Sequence, residues 1–566
     1  MKHLRILLLI WVCLSSYVYA DALPVPLSER QLCDLELLLN HGFAPLEGFM
    51  DQANYDRVVR EMRLQDGSIW PIPVILDISE KLKQKIEQTH PSKLALCDPE
   101  GTILAYLDIT DLWVPNKELE AENVYGTLNQ DHPGVDYLLN KTGNYYVGGK
   151  ITKVSDPKHY DFTPLRKSPE ETKALFREKG YDKIVAFQTR NPMHRAHVEL
   201  TMHAMQELGA HLLLHPTVGL TKPGDVDAFT RVKCYQHLLS HYPEGSVTLS
   251  LLPVAMRLAG PREAIWHAII RKNYGCTHFI IGRDHAGPGK DRTGTDFYPP
   301  YAAQELATKY AKEIGIEVVP FKEFVYVKED DHYQPVDEVD PNKTVLNISG
   351  SQLRTMLREG LEIPNWFTYP EVVEELKKVY PPKNQQGITL FFTGLSAAGK
   401  STIANALAAR LMEIQDRPVT LLDSDIIRKN LCSELGFSKE HRSLNARRVG
   451  FVANEITKNR GIGICALIAP YEEDRLYNRN LIGLHGNYIE IYVNTPIQTC
   501  ENRDPKGLYA LARQGKLTGF TGIDDPYEEP RNPELALDTT RQSIDESVEQ
   551  IIHYLSSKGL LYPQQK

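Results

Sequence analysis

Three things are scarce in this chain, and each scarcity removes a class of function. Cations are outnumbered: 64 Lys and Arg face 73 Asp and Glu, a net charge of −9 over 566 residues. A mildly acidic chain is a poor nucleic-acid binder, so any anion site must be assembled locally from clustered cations and helix N-termini. Paired cysteines are missing. Cys13, Cys33, Cys97, Cys234, Cys276, Cys432, Cys465 and Cys500 are scattered, with no C-x-x-C pair. That spacing offers neither a zinc site nor a disulfide framework and reads as reduced thiols. A membrane-length apolar run is missing too: the stretch from Ile6 to Leu14 is too short to cross a bilayer. There is no internal repeat and no low-complexity tract. The remaining composition, 42% hydrophobic and 24% charged, is that of a globular protein with length for three or four domains.

The chemistry announces itself late in the chain. Gly394-Leu395-Ser396-Ala397-Ala398-Gly399-Lys400-Ser401-Thr402 follows the apolar run Ile388-Thr389-Leu390-Phe391-Phe392 and precedes a helical pattern from Ile403 to Leu407. Strand, Gly-rich loop, Lys-Ser and helix together make a phosphate-binding P-loop, and the alternative, a chance Gly-rich turn, lacks this context. Loop N–H groups and the helix N-terminus face phosphate oxygens. Lys400 is expected at the β/γ-phosphates of ATP, and the Ser401 hydroxyl on Mg²⁺.

A second anion site lies upstream. Gln188-Thr189-Arg190-Asn191-Pro192-Met193-His194-Arg195-Ala196-His197 follows the strand candidate Lys183–Phe187. His194 and His197 are three apart, so they share one face in the first turn of a helix expected over 194–208. A helix N-terminus, two imidazoles and Arg190 form a clamp for a crowded phosphorus centre. A metal site is the competing reading, but Met193 and Arg195 supply no ligand and no third one is evident. Gly282-Arg283-Asp284-His285-Ala286-Gly287 follows another strand candidate, Phe279–Gly282, and adds a second polar loop.

Around these loops the pattern divides. Residues 1–22 are an apolar, signal-like extension, and 23–166 read as β-rich, with Trp70–Leu76 as a strand and Tyr145–Gly149 as a Gly-rich turn. Residues 167–345 alternate strands and helices, the doubly wound α/β rhythm. A small helical piece spans 346–382, Pro381–Gly387 reads as a linker, and the P-loop domain fills 387–566.

The segments Gln188–His197 and Gly282–Gly287 resemble the two signature segments of ATP sulfurylases. Ordered matches support this: Gly42–Phe49, Trp70–Pro73, Asp131–Val135, Gly219–Asp225 and Ile348–Gly350. From Ile388 the chain resembles adenylylsulfate kinases, through Asp423–Arg428, Leu435–Phe437, Asn445–Arg448, Asp504–Tyr509 and Phe520–Glu528. Sulfurylase first and kinase second is the order of the bacterial fusion. The resemblance implies an α/β multidomain chain: a PUA-like N-terminal domain, a Rossmann-like nucleotidyltransferase domain, a small helical domain and a P-loop kinase domain.

It also implies roles. Gln188, Arg190 and the backbone at Ala286 would hold sulfate. Gln188, Thr189, Arg190, Asn191, Gly282, Arg283, Asp284 and His285 would hold ATP, with Thr189, Arg190, Asn191, His194 and His197 catalytic. In the kinase, ATP would be held by Gly394 and Ala397–Thr402. Adenylylsulfate would meet Asp423, Asp425, Arg428, Phe437, Asn445, Arg448, Ile468, Lys506, Phe520 and Thr521. Asp425, with Asp423 as the alternative, would be the base beside catalytic Lys400. The partners implied are ATP with Mg²⁺, sulfate, adenylylsulfate and further copies of the chain, without nucleic acid or membrane.

Three positions depart from the kinase pattern. Asp423-Ser424-Asp425 replaces Asp-Gly-Asp, and Leu444-Asn445-Ala446-Arg447 lacks a family acid. Ile468-Ala469-Pro470-Tyr471 has no serine hydroxyl, which excludes a phosphoserine there and leaves direct in-line transfer. The competing reading of this domain is a silent, regulatory one that binds the phosphorylated product; its P-loop would be degraded, and this one is intact. A reversed sulfurylase, making ATP, fits poorly with an attached kinase that drains the intermediate. The N-terminus stays open. Lys2, His3 and Arg5 before the apolar core, and small residues near Ala20, describe a secretory signal. ATP chemistry points to the cytoplasm, with an uncleaved extension or a start assigned too far upstream.

Overall fold

The computed structural model describes residues 22–562, so the signal-like residues 1–20 lie outside it. The described chain forms two compact units. The first is residues up to Ser349 with Ile363–Glu375, and the second is Gly350–Glu362 with Leu376 onwards. The helical segment 346–382 is thus shared: Gly350–Glu359 belongs to the second unit, while Pro370–Val379 starts in the first.

The first unit opens with a seven-stranded sheet. Its strand order is Ala22–Pro26, Lys93–Cys97, Ile103–Asp108, Tyr145–Lys153 and Gly48–Phe49. Leu76–Ile78 and Asp111–Trp113 also pair with Tyr145–Lys153. Two sequence expectations change here. Tyr145–Gly149 is not a turn but the start of the longest strand of this sheet. Its glycines are there because neighbours approach closely: a Cβ on Gly148 would lie 2.3 Å from the Met50 carbonyl oxygen, and one on Gly149 1.8 Å from that of Asp108. Trp70–Leu76 is not a strand up to its last residue, since pairing begins only at Leu76. Pro71 and Pro73 have no N–H to give a ladder, and buried Trp70 donates its indole N–H to the Ile72 carbonyl at 2.7 Å.

The same unit then builds a five-stranded parallel sheet, ordered Val247–Leu249, His211–Leu214, Ile184–Phe187, His278–Ile281 and Glu317–Pro320. Ile-Val-Ala-Phe and His-Phe-Ile-Ile are buried along their whole length, as helices on both faces require. The chain runs outward from Ile184–Phe187 in one direction and returns to continue from His278 in the other. The switch point therefore lies between these two strands, where ligands of open α/β sheets bind. The loops Gln188–His194 and Gly282–Gly287 leave the sheet at that point. One hydrophobic cluster runs from Leu23 to Ile316 and joins the two sheets into a single core.

The second unit repeats the logic with a sheet ordered Val419–Asp423, Ile462–Ala466, Ile388–Thr393, Asn487–Val493 and Leu535–Leu537, all parallel. Ile388–Thr393 is central and wholly buried, and the P-loop springs from its carboxyl end into the helix Lys400–Ile414. Among the described residues no helix is long and apolar enough to cross a membrane.

Candidate active sites

In the first unit, His194 caps the helix Arg195–Leu208, and its backbone N–H donates to Nδ1 of His197 at 3.2 Å. That bond sets the second imidazole: Nδ1 is the acceptor, so a neutral ring carries its proton on Nε2. His194 meets Thr368 Oγ1 through Nδ1 at 2.9 Å and packs on the Phe367 ring at 4.5 Å. Burial lowers both histidines, with His197 adding to the effect on His194: His194 to about 3 and His197 to about 4. Both rings are therefore neutral near pH 7.

The fixed cation is Arg190. Its Nη1 lies 2.8 and 2.6 Å from the two carboxylate oxygens of Asp225, and its Nη2 donates to the Gly287 carbonyl at 3.3 Å. The guanidinium thus ties the two loops at the switch point together. Gln188 is buried, with its amide near Thr217 Oγ1 at 3.3 Å and Met256 Sδ at 3.7 Å. Thr189 Oγ1 accepts from the Asn191 N–H at 3.1 Å and donates to the Asn191 carbonyl at 3.0 Å, which folds this loop tightly. In the facing loop Asp284 and Ala286 are left-handed, at φ 51° and 55°. A Cβ on Gly287 would stand 1.9 Å from Asp284 Oδ1, so a larger residue there would displace that side chain. Arg283 is half-exposed and only 3.8 Å from Glu323. Burial pushes His285 well below its ordinary value.

In the second unit, Gly394, Ala397 and Gly399 all have positive φ, and a Cβ on Gly394 would lie 2.7 Å from the Val493 carbonyl oxygen. Lys400 is buried, which lowers it to about 8, and its ammonium donates to the Leu395 carbonyl at 2.6 Å. Ser401 Oγ donates to Asp423 Oδ2 at 2.6 Å, and the other oxygen of Asp423 accepts from the Asp425 N–H at 2.9 Å. Both Asp423 oxygens are therefore engaged. Asp425 is exposed and meets only the Lys506 ammonium, at 2.5 Å. These groups line one cavity of about 760 Å³, with Thr402, Ile468, Arg503, Thr539 and Ile544.

Beside it, Arg428 lies 4.4 Å from the ring centroid of exposed Phe437. Arg442, buried, donates through Nε to the Phe437 carbonyl at 2.8 Å, and through its Nη atoms to Thr521 Oγ1 and the Gly519 carbonyl. Phe520 is buried edge-on against Tyr509. Asn445, one turn after Arg442, keeps a buried Oδ1 without a partner.

The comparisons name both halves. Residues 163–379 match the ATP-sulfurylase model, 386–538 the Adenylylsulphate kinase model and 18–156 a PUA-like domain. The chain is 50% identical to a sulfate adenylyltransferase of Mycosarcoma maydis over 547 residues, 96% of this chain and 95% of that one. A sulfate adenylyltransferase of Neurospora crassa is 50% identical over 544 residues, again 96% and 95%. The chain belongs to the sulfate adenylyltransferase family. A solved structure described as a hexameric APS kinase from Thiobacillus denitrificans covers 96% of this chain and 95% of its own, at 37% identity and TM-score 0.77. The protein is an enzyme of sulfate activation, with a sulfurylase half and an adenylylsulfate kinase half.

In the sulfurylase half the structure gathers Gln188, Thr189, Arg190, Asn191, His194, His197 and the Gly282–Ala286 loop at one switch point. In the kinase half it gathers the P-loop, Asp423, Asp425, Ile468 and Lys506 about one cavity. Arg428 meets Phe437, and Arg442 links Phe437 to Thr521, while Phe520 packs on Tyr509. Arg448 does not join them; its Nη1 pairs with Glu434 at 2.5 Å and the Leu431 carbonyl at 3.2 Å. Arg442 itself was missed, although it stands three residues before Asn445, on the same helix face. Asp225, the partner of Arg190, ends the segment Gly219–Asp225, but no spacing rule predicts the contact. Thr368 and Phe367 have no local signal at all.

Proposed function

We propose that the two halves act in sequence: sulfate and ATP give adenylylsulfate and pyrophosphate, and a second ATP then phosphorylates the 3′-hydroxyl of adenylylsulfate. The observation that carries the second step is the intact P-loop with Ser401 hydrogen-bonded to Asp423. A domain that merely bound the product would have no use for that arrangement.

In the first reaction a sulfate oxygen attacks the α-phosphorus and pyrophosphate leaves. Sulfate is already a dianion, so no general base is needed. The obstacle is bringing two anions together, and catalysis is positioning plus charge neutralisation. Gln188, Arg190 and the Ala286 backbone hold sulfate; Thr189, Asn191 and the Gly282–His285 loop hold ATP. His197 presents Nε2–H to a phosphate oxygen, and His194 works beside it. Because its ring is neutral beforehand, His197 enters as a hydrogen-bond donor, and arriving negative charge favours protonation of both rings.

In the second reaction Asp425 takes the 3′-hydroxyl proton as that oxygen attacks the γ-phosphorus. Asp423 is tied to Ser401 and to the Asp425 N–H, whereas Asp425 needs only to release Lys506. Arg428, Arg442 and Asn445 hold adenylylsulfate, with Phe437 and Phe520 offering flat apolar faces to its base. Arg448 would have to leave Glu434 to join them. Among the described residues no three His, Cys, Asp or Glu side chains cluster as metal ligands. Ser401 and Asp423 would hold a Mg²⁺ arriving with ATP, which would neutralise phosphate charge. A homo-oligomer, supported by the hexameric description of the similar structure, and a cytoplasmic location, supported by the need for ATP, complete the proposal.

The test is incubation of the purified protein with Mg-ATP, labelled sulfate and pyrophosphatase. Label in 3′-phosphoadenylylsulfate is the expected result, and Lys400→Ala should stop it at adenylylsulfate. Label that stops there in the unsubstituted protein overturns the kinase assignment and leaves the regulatory reading.

A further inference from the structure

Behind the Gly282–Gly287 loop lies a chain of polar groups that the proposed chemistry does not use. Glu263, on the helix Gly260–Asn273, is fully buried. Its oxygens accept the backbone N–H groups of Arg257 at 3.0 Å and Ala259 at 2.8 Å, which fix the carboxylate. One turn on, His267 is equally buried, and its Nε2 stands 3.3 Å from Glu263 Oε1. The contact is too oblique for a good hydrogen bond, yet the carboxylate is the group that faces this nitrogen. On the other side of the ring, His267 Nδ1 lies 3.1 Å from Nε2 of His285 in the nucleotide loop. Carboxylate, imidazole and imidazole form one line.

That line dictates tautomers. A bare nitrogen lone pair against a carboxylate is repulsive, so His267 carries its proton on Nε2. In a neutral His267, Nδ1 is then the acceptor and receives the Nε2 proton of His285. A neutral ring has one proton, so Nδ1 of His285 is left as a lone pair, and among the described residues no partner meets it. A lone pair repels phosphate oxygen and attracts N–H or O–H.

We propose that Glu263 and His267 are positioning residues of the sulfurylase site, which hold His285 with its Nδ1 as acceptor for a hydrogen-bond donor on the nucleoside part of ATP. The inference rests on the sulfurylase reading above. The donor is either the exocyclic amine of the base or the ribose 2′-hydroxyl. The loop thus reads the nucleoside, while the His194 and His197 side reads the phosphates. Protonation of His267 would invert the line, turning His285 Nδ1 into a donor. The charged and titratable groups bearing on His267 are Glu263 and Arg271 from its own helix, His285 from the loop, and His215 from the segment after His211–Leu214.

The test has two arms. In the first, sulfurylase turnover is measured with ATP, with inosine triphosphate, which lacks the amine, and with 2′-deoxy-ATP, which lacks one hydroxyl. One analogue should show a KM raised roughly tenfold, the worth of one hydrogen bond. His267→Leu should raise the KM for ATP by a similar factor, leave that for sulfate alone, and erase the discrimination. His267→Gln, which keeps a donor towards Glu263 and an acceptor towards His285, should restore it. Discrimination that survives in His267→Leu overturns the proposal, as does a wild-type protein indifferent to both analogues. The second arm needs neither variant nor turnover: nitrogen NMR of selectively labelled histidines should find His285 protonated on Nε2. A proton on Nδ1 overturns the relay even in an active enzyme. No turnover with a correctly protonated His285 would instead refute the sulfurylase reading and leave the relay standing.

Discussion

Acidification to pH 5.5 should weaken the first unit by an amount the buried histidines set. His132, His211, His215 and His285 are all buried. Burial lowers His132 and His211 to about 4, and His215 and His285 well below their ordinary value. Each stays neutral in the folded chain but titrates near 6.5 once unfolded. Below pH 6.5 the unfolded chain therefore binds more protons, and stability falls as pH falls. At pH 5.5 each such histidine costs about 1.4 kcal/mol, so these four together with His194 and His197, lowered in the same way, cost about 8 kcal/mol. One group works the other way. Glu120, buried with Tyr55 OH at 2.8 Å, is pushed up by burial to about 7. It takes up a proton in the folded state as pH falls to 5.5, which returns about 2 kcal/mol. The net loss is about 6 kcal/mol, a large share of the 5–15 kcal/mol typical of a domain. Tryptophan fluorescence isolates the effect, because Trp70, Trp113, Trp266 and Trp366 all lie in the first unit and the second has none among its described residues. Urea titrations followed by that signal at pH 7.5 and 5.5 give the difference directly. Equal stability at both pH values, or greater stability at 5.5, would refute the claim that these imidazoles fold in neutral form.

Other outcomes follow from single contacts. Asp225→Asn should raise the KM for sulfate roughly tenfold, because Arg190 loses the carboxylate that orients it, and leave kinase turnover on supplied adenylylsulfate unchanged. Arg442→Lys keeps the charge but loses the fork that reaches Thr521 and Gly519, so the KM for adenylylsulfate should rise at least tenfold while that for ATP stays near normal. Leu407→Ala, in the buried core of the second unit, should cost about 2–5 kcal/mol in a circular-dichroism melt and leave the fluorescence transition in place. Chelating Mg²⁺ should stop product formation in both halves without moving either unfolding transition, since no described cluster of side chains depends on a metal.

The parts of the sites that could be read from the chain are those made by neighbours in sequence. A strand, a Gly-rich turn and a helix start are contiguous, so Gly394–Thr402 and Gln188–His197 declare their anion sites before any folding is known. The doubly wound order was likewise audible in the rhythm of buried strands. Errors came where a local signal carried a second meaning. Gly148 and Gly149 resemble a turn, yet they are small because Met50 and Asp108 press on the strand from outside. Pro71 and Pro73 sit in an apolar run, yet they forbid its pairing.

What the sequence determined by itself was the class of chemistry, two phosphate-handling loops on two parallel sheets, because those loops are built from consecutive residues. What only the tertiary structure decided was which distant groups tune them: Asp225 on Arg190, Thr368 on His194, Arg442 between Phe437 and Thr521, and Glu263 through His267 on His285. Apart from Glu263–His267 and Phe437–Arg442, which are near neighbours in the chain, those contacts join residues 18 to 174 apart, and where such a pair meets is set by the packing of the core rather than by any spacing along the chain.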